Sequence, residues 1–126
     1  MITIWLGLIG LSGFLAVTLG AFGAHGLKGK ISDSLLSAFQ TGIQYHMFHT
    51  LAMLALLIFI YQLAQAPKAL WLDNYCWLLG TLLFSGSLYA LAMGGPNWLG
   101  PITPLGGLLL ISGWLCLAVG AWQLRV

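Results

Sequence analysis

The stretch Ile2–Phe22, ITIWLGLIGLSGFLAVTLGAF, carries no charged residue and closes on the glycine-rich Gly23-Ala24-His25-Gly26 and the basic Lys28-Gly29-Lys30. A run of about 20 apolar residues is what an α-helix needs to cross a hydrocarbon core of ~30 Å. Outward from it, the charged side chains stand at only six places, Lys28, Lys30, Asp33, Lys68, Asp73 and Arg125. The intervals between them hold three further uncharged stretches. The second begins after Asp33, which reads as its N-cap, and is most apolar from Met47 to Leu63, ahead of Ala66-Pro67-Lys68. A third runs from about Asn74 to Met93 and stops at Gly94-Gly95-Pro96-Asn97. The fourth starts at Thr103-Pro104, with Thr as N-cap and Pro as first helical residue, and ends at Leu124-Arg125.

Composition agrees with this division: 60% of the residues are hydrophobic and 5% charged, against roughly 25% charged in a soluble domain. Backbone polar groups in lipid must be satisfied internally, and continuous apolar runs exclude the short alternating segments of a β-barrel. The fold class is therefore all-α, an integral membrane four-helix bundle. It forms a single domain, 1–126, with spans at about 2–22, 43–63, 74–93 and 103–124. The first span lacks the positively charged start of a signal peptide. A helix from Ser34 to Gln65 would be ~48 Å long, so Gly42 is a candidate bend and the polar start of this helix is expected in the headgroup region or against its neighbours. Trp5, Trp71, Trp77 and Trp122 are expected near one membrane face and Trp98 near the other.

Orientation is not decided by charge, since Lys68 and Arg125 on one side balance Lys28 and Lys30 on the other. Small residues recur at helix-packing spacings: Gly13 and Gly20 in the first span, Gly106, Gly113 and Gly120 in the fourth. Ser12-Gly13 and Gly20-Ala21-Phe22 parallel Ser112-Gly113 and Gly120-Ala121-Trp122, as in the inverted repeats of transporters, although glycine seams are mostly packing devices.

Several motifs occur in order along the chain: Gly20-Ala21-Phe22-Gly23-Ala24-His25-Gly26; Gln40-Thr41-Gly42 with Tyr45 and Phe48-His49-Thr50-Leu51-Ala52; Phe84-Ser85-Gly86-Ser87-Leu88-Tyr89; Thr103-Pro104-Leu105-Gly106-Gly107 and Gly113-Trp114. Together they resemble the YgdD/YwdK family of small bacterial inner-membrane proteins, a domain of unknown function with an animal relative described as a small transmembrane protein. The resemblance implies a four-span protein of the bacterial inner (cytoplasmic) membrane and no particular activity. Its members tend to be basic at the C-terminus and in the middle loop, which implies cytoplasmic termini.

The candidate functional cluster is polar and intramembrane: His25, Gln40, Gln44, Tyr45, His46, His49, Thr50, Ser85, Ser87 and Tyr89. Ionisable groups inside a bilayer are costly and default to functional hypotheses. His46 and His49, three apart, fall on neighbouring positions of one helical face. His25 ends the first span on the side where the second begins, within reach if that helix starts well outside the core. Three imidazoles with Asp33 could hold a metal such as zinc, or relay protons. The simpler reading is that each imidazole hydrogen-bonds a carbonyl, a hydroxyl or a neighbouring helix. Gln40, Gln44, Thr50, Ser85, Ser87 and Tyr89 are expected to cross-link the second and third helices.

No catalytic residues, metal site or cofactor is predicted. Ser85-Gly86-Ser87 lacks the strand-turn-helix context of a nucleophile elbow, and Cys76 and Cys116 form no metal-spacing motif. Four basic residues spread along the chain make no nucleic-acid surface. The expected partners are membrane lipids, with a membrane-protein complex or homo-oligomer left open. Three function classes follow in order: a non-enzymatic structural, accessory or lipid-associated component; a small carrier or channel; a metal-binding membrane enzyme. Against the second, small multidrug carriers rely on an intramembrane carboxylate, and both aspartates here are expected in loops.

Overall fold

A computed structural model describes residues 1–124 of the chain. Helix α1 (Ile2–Phe22) takes up the first uncharged stretch and continues into one π-helical turn, Gly23–Leu27. Helices α2 (Asp33–Gln62), α3 (Lys68–Ala92) and α4 (Ile102–Gln123) follow, with a single 3-10 turn at Asn97–Leu99 before the last. All four are long and apolar enough to cross a membrane, and no strand occurs among the described residues. The all-α four-helix architecture expected from the uncharged stretches is the one observed. Arg125, used above to weigh orientation, lies outside the described residues.

The helix ends differ from expectation in instructive ways. Ser32, not Asp33, caps α2: its backbone is extended and its Oγ accepts from Leu35 N–H at 3.2 Å. Asp33 instead occupies the first turn, where a carboxylate complements the helix dipole. α4 starts at Ile102 behind Pro101, so Thr103 lies within the first turn and does not cap it. α3 begins at Lys68 behind Pro67, and this overturns the placement of Asp73 in a loop. Asp73 is a helical residue with 0% exposure. Pro67 precedes the first residue of this helix, and Asp73 does not mark its start.

α2 runs for 30 residues without a break, ~45 Å of helix against a core of ~30 Å. The helix is continuous through Gly42. A Cβ at this position would stand 2.8 Å from the Tyr89 ring, so the missing side chain makes room for an aromatic group of α3. Left-handed backbone occurs at Gly29 (φ 76°) and Gly94 (φ 87°), in the turns after α1 and α3. At Gly94 the chain leaves α3 with Gly95 N–H bonded to Ala90 C=O at 2.7 Å and Gly94 N–H to Leu91 C=O at 3.2 Å, a Schellman ending that only a residue tolerant of positive φ completes cheaply.

α2 and α3 form the central pair, with α1 packed on α2 and α4 on α3. Among the described residues the backbones of α1 and α3 do not pack closely, and neither do those of α2 and α4. One apolar layer lies toward the Met1 end, around Trp5, Ile9, Met53, Leu57, Leu70, Trp77 and Leu110; a smaller one lies toward the opposite end, around Leu27, Phe39, Tyr89 and Ala92. The aromatic belt is narrower than expected. Trp5 and Trp77 are core residues, 3% and 1% exposed, while Trp122 and Trp98 stand out at 72% and 66% near the two ends of the bundle. Indole depth along a helix does not reveal which way the ring faces.

Candidate functional site

Between the two apolar layers lies a layer of hydrogen bonds centred on His46. Its Nε2 is 3.0 Å from Ser12 Oγ of α1 and its Nδ1 is 3.0 Å from the Tyr89 hydroxyl of α3. Ser12 Oγ is in turn 2.6 Å from Thr50 Oγ1, which donates to the His46 carbonyl at 2.8 Å. Counting protons orients the whole chain, because a hydroxyl has one hydrogen to give. The Thr50 hydrogen goes to the carbonyl, so Ser12 donates to Thr50 and accepts from His46 Nε2–H. His46 Nδ1 then accepts from Tyr89 O–H. The sequence of donors starts at Tyr89 and ends on the backbone of the same histidine, a closed clamp across α1, α2 and α3. Ser12 lies ~15 Å along α1 from Ile2, about half of a ~30 Å hydrocarbon core.

His49 is the opposite tautomer. The Trp114 indole of α4 donates to its Nε2 at 3.2 Å, so Nδ1 carries the proton and donates to the Tyr45 carbonyl at 2.8 Å. Both nitrogens of both buried imidazoles are therefore engaged, and neither ring has a lone pair left for a metal. Among the described residues no group of three or more His, Cys, Asp or Glu is arranged to hold a metal ion.

Two grooves flank this layer, each in a gap between helices whose backbones do not pack. The larger, about 490 Å³, separates α2 from α4 above Phe84 and is walled by Tyr45, Phe48, His49, Ile111 and Trp114, with Gln44 at its edge. The smaller, about 270 Å³, separates α1 from α3 above His46 and is lined by Ser12, Leu15, Thr81 and Tyr89 among others. Aromatic contacts hold the first groove's walls: Tyr45 lies 4.6 Å from Phe84, and Trp77 4.6 Å from Trp114, between ring centroids. Tyr45, Phe48, Ile111 and Trp114 are all at least 40% exposed, so this groove opens on the flank of the bundle.

The remaining candidate residues scatter. Ser85 Oγ donates to the Gly42 carbonyl at 2.7 Å and does join α3 to α2. Ser87 donates to Phe84 C=O at 2.9 Å and receives the Thr103 hydroxyl at 2.6 Å, so it joins α3 to α4. Thr50 reaches α1 and not α3. Gln40 and Gln44 are exposed on α2, and their amides form no hydrogen bond among the described residues. His25 is exposed in the π-helical turn, ~20 Å along the helix from Ser12. It is not part of the cluster, because the polar half of α2 continues into the bundle and carries His46 and His49 to mid-height.

The glycines divide as well. A Cβ at Gly106 would meet the Phe84 backbone, one at Gly113 the Trp77 indole, and one at Gly120 the Leu70 side chain. At Gly13 and Gly20 it would find ordinary contacts, 3.7 Å from Thr50 and 3.6 Å from Ile43. Sequence reasoning missed Ser12 and Trp114 as histidine partners, since nothing in α1 or α4 alone identifies the face turned to α2. It also missed the adjacent pair Asp73 and Asn74, both 0% exposed. Pro67 as a helix start was the available signal.

Residues 19–107 match the family model described as "Protein of unknown function (DUF423)". The chain is 46% identical over 119 residues to a UPF0382 membrane protein of Haemophilus influenzae, covering 94% of each chain. It is 43% identical over 113 residues to the UPF0382 membrane protein YwdK of Bacillus subtilis, covering 88% of this chain and 89% of the relative. With the UPF0382 inner membrane protein YgdD of Escherichia coli K12 it shares 40% over 117 residues, 91% of this chain and 86% of the relative. No solved structure matches the chain. The ordered motifs from Gly20 to Trp114 thus carried a true kinship, and the chain belongs to the DUF423 family of UPF0382 membrane proteins.

Proposed function

We propose that this protein is a non-enzymatic, lipid-associated component of the bacterial inner membrane, and that the groove between α2 and α4 holds one acyl chain of a membrane lipid. One observation carries this reading: the larger groove opens sideways on the bundle at the height of His49, through walls of exposed Tyr45, Phe48, Ile111 and Trp114. At that depth the surrounding medium is hydrocarbon. A volume of about 490 Å³ is within the ~300–1,000 Å³ range of small-molecule sites. Gln44, exposed at the groove's edge, offers an amide to the ester or hydroxyl end of a lipid. The buried histidines support the same view, since their nitrogens are engaged in helix-to-helix bonds and in a donor chain that returns to its own backbone. Such a chain passes no proton from one side of the membrane to the other.

Photo-crosslinking tests the reading. Purified protein in nanodiscs containing a phospholipid with a diazirine on its acyl chain should be labelled at Phe48, Ile111 and Trp114 well above the other lipid-facing residues. Ile111→Trp, which fills the groove, should remove that excess. Labelling spread evenly around the bundle, unaltered by Ile111→Trp, would discard the acyl-chain site. Solute flux in liposomes containing only the purified protein would discard the non-transporting role.

A further inference from the structure

Asp73 and Asn74 stand side by side in α3, each with 0% exposure, and neither oxygen of Asp73 nor either polar atom of Asn74 has a hydrogen-bond partner among the described residues. Trp77, one turn further along, is 1% exposed, and its indole N–H is also without a partner. These groups lie inside a membrane-spanning helix, flanked by Leu70 and Trp77 of the apolar layer. Among the described residues no other place concentrates so much unsatisfied polarity.

From this arrangement we propose that Asp73 is a proton-binding site: the protein holds it as a neutral carboxylic acid, taking its one proton from the aqueous phase on the side of Met1 and Lys68. An ionised carboxylate sealed away from water and from every cation among the described residues is severely penalised, and the usual relief is neutralisation. Hydrogen-bond chemistry points the same way. A carboxylate only accepts, whereas a carboxylic acid both donates and accepts, so the protonated form demands fewer donors of a site that supplies it none among the described residues.

The titratable and charged groups at this end of the bundle do not offer a substitute. They are the exposed Met1 amine on α1, Tyr61 on α2, Lys68, Tyr75 and Cys76 on α3 itself, and Cys116 on α4. None of them bonds to Asp73. Arg125, beyond α4, lies outside the described residues, and an ion pair with it is the rival state that the experiment must detect.

The chain has only two acidic side chains, Asp33 and Asp73, which makes vibrational assignment direct. Infrared spectra of the full chain in lipid nanodiscs at neutral pH should contain the C=O stretch of a protonated carboxyl group. That band should shift when aspartate is labelled with carbon-13 at the carboxyl, disappear completely in Asp73→Asn and survive in Asp33→Asn. If Asp73→Asn does not fold, the isotope shift in the unmodified chain together with survival in Asp33→Asn makes the assignment. Spectra showing only ionised carboxylate stretches, or a protonated band lost in Asp33→Asn, would overturn the proposal.

Discussion

The two outer helices are fastened to the central pair by different physics. Between α3 and α4 the surfaces meet at backbone level: Gly106, Gly113 and Gly120 face Phe84, Trp77 and Leu70, and Gly80 of α3 reciprocates, where a Cβ would lie 2.9 Å from Leu110 N. A methyl group at Gly106 or Gly80 would meet backbone, one at Gly113 the Trp77 ring, and one at Gly120 the movable end of Leu70. Between α1 and α2 Gly13 and Gly20 have room, only Gly23 at the end of α1 lies tight against Phe39, and Ser12 bonds to His46 and Thr50. In lipid there is no hydrophobic drive to bring helices together, so association rests on close packing and on interhelical hydrogen bonds. Close packing distinguishes the α4 side, to which Ser87–Thr103 and Trp114–His49 add hydrogen bonds, whereas the glycines of α1 make only ordinary contacts and Ser12 supplies the bonds to α2.

That contrast can be broken deliberately. The largest effect is expected from Gly106→Leu, which drives a branched side chain into the Phe84 backbone. A loss of about 3 kcal/mol or more is the upper end of overpacking costs, enough to separate α4 from α3. Unfolding titrations in mixed detergent micelles read the loss directly, and a native-like midpoint would refute backbone-level contact in this seam.

A smaller cost should follow from His46→Leu, which leaves Tyr89 O–H and Ser12 Oγ without their partner. Unsatisfied buried groups cost about 1–3 kcal/mol in proteins, tempered here because interhelical hydrogen bonds in membranes average only ~0.6 kcal/mol. We expect about 1–2 kcal/mol in the same titration. A change as large as that of Gly106→Leu would mean that the clamp, and not shape, dominates the bundle.

Gly13→Ala should be the mildest, within about 0.5 kcal/mol of the unmodified protein. A methyl group 3.7 Å from Thr50 makes an ordinary contact. Destabilisation comparable to His46→Leu would show that the first seam is as tight as the second and erase the distinction between them.

Much of the fold was legible in the chain itself, because long uncharged apolar runs are what a membrane-crossing helix needs, although Asp73 misplaced the start of α3. The seam of α4 was legible too, from glycines seven apart. The site was less so. His46 and His49, three residues apart, diverge by only about 60° around a helix of 3.6 residues per turn, and in an outer helix they would share a neighbour. Because α2 is central, that small divergence sends His46 toward α1 and α3 and His49 toward α4. His25 looked adjacent because the connection between α1 and α2 is short, yet the histidines of α2 lie far down the helix from it.

The sequence alone determined that there are four membrane-crossing helices, since the length of an uncharged run is a local property that the bilayer reads directly. Only the tertiary structure decided the tautomers of the histidines, the partners of the glycines and the burial of Asp73. Each of these depends on which face of one helix meets which face of another, and that relation is not contained in any single stretch of chain.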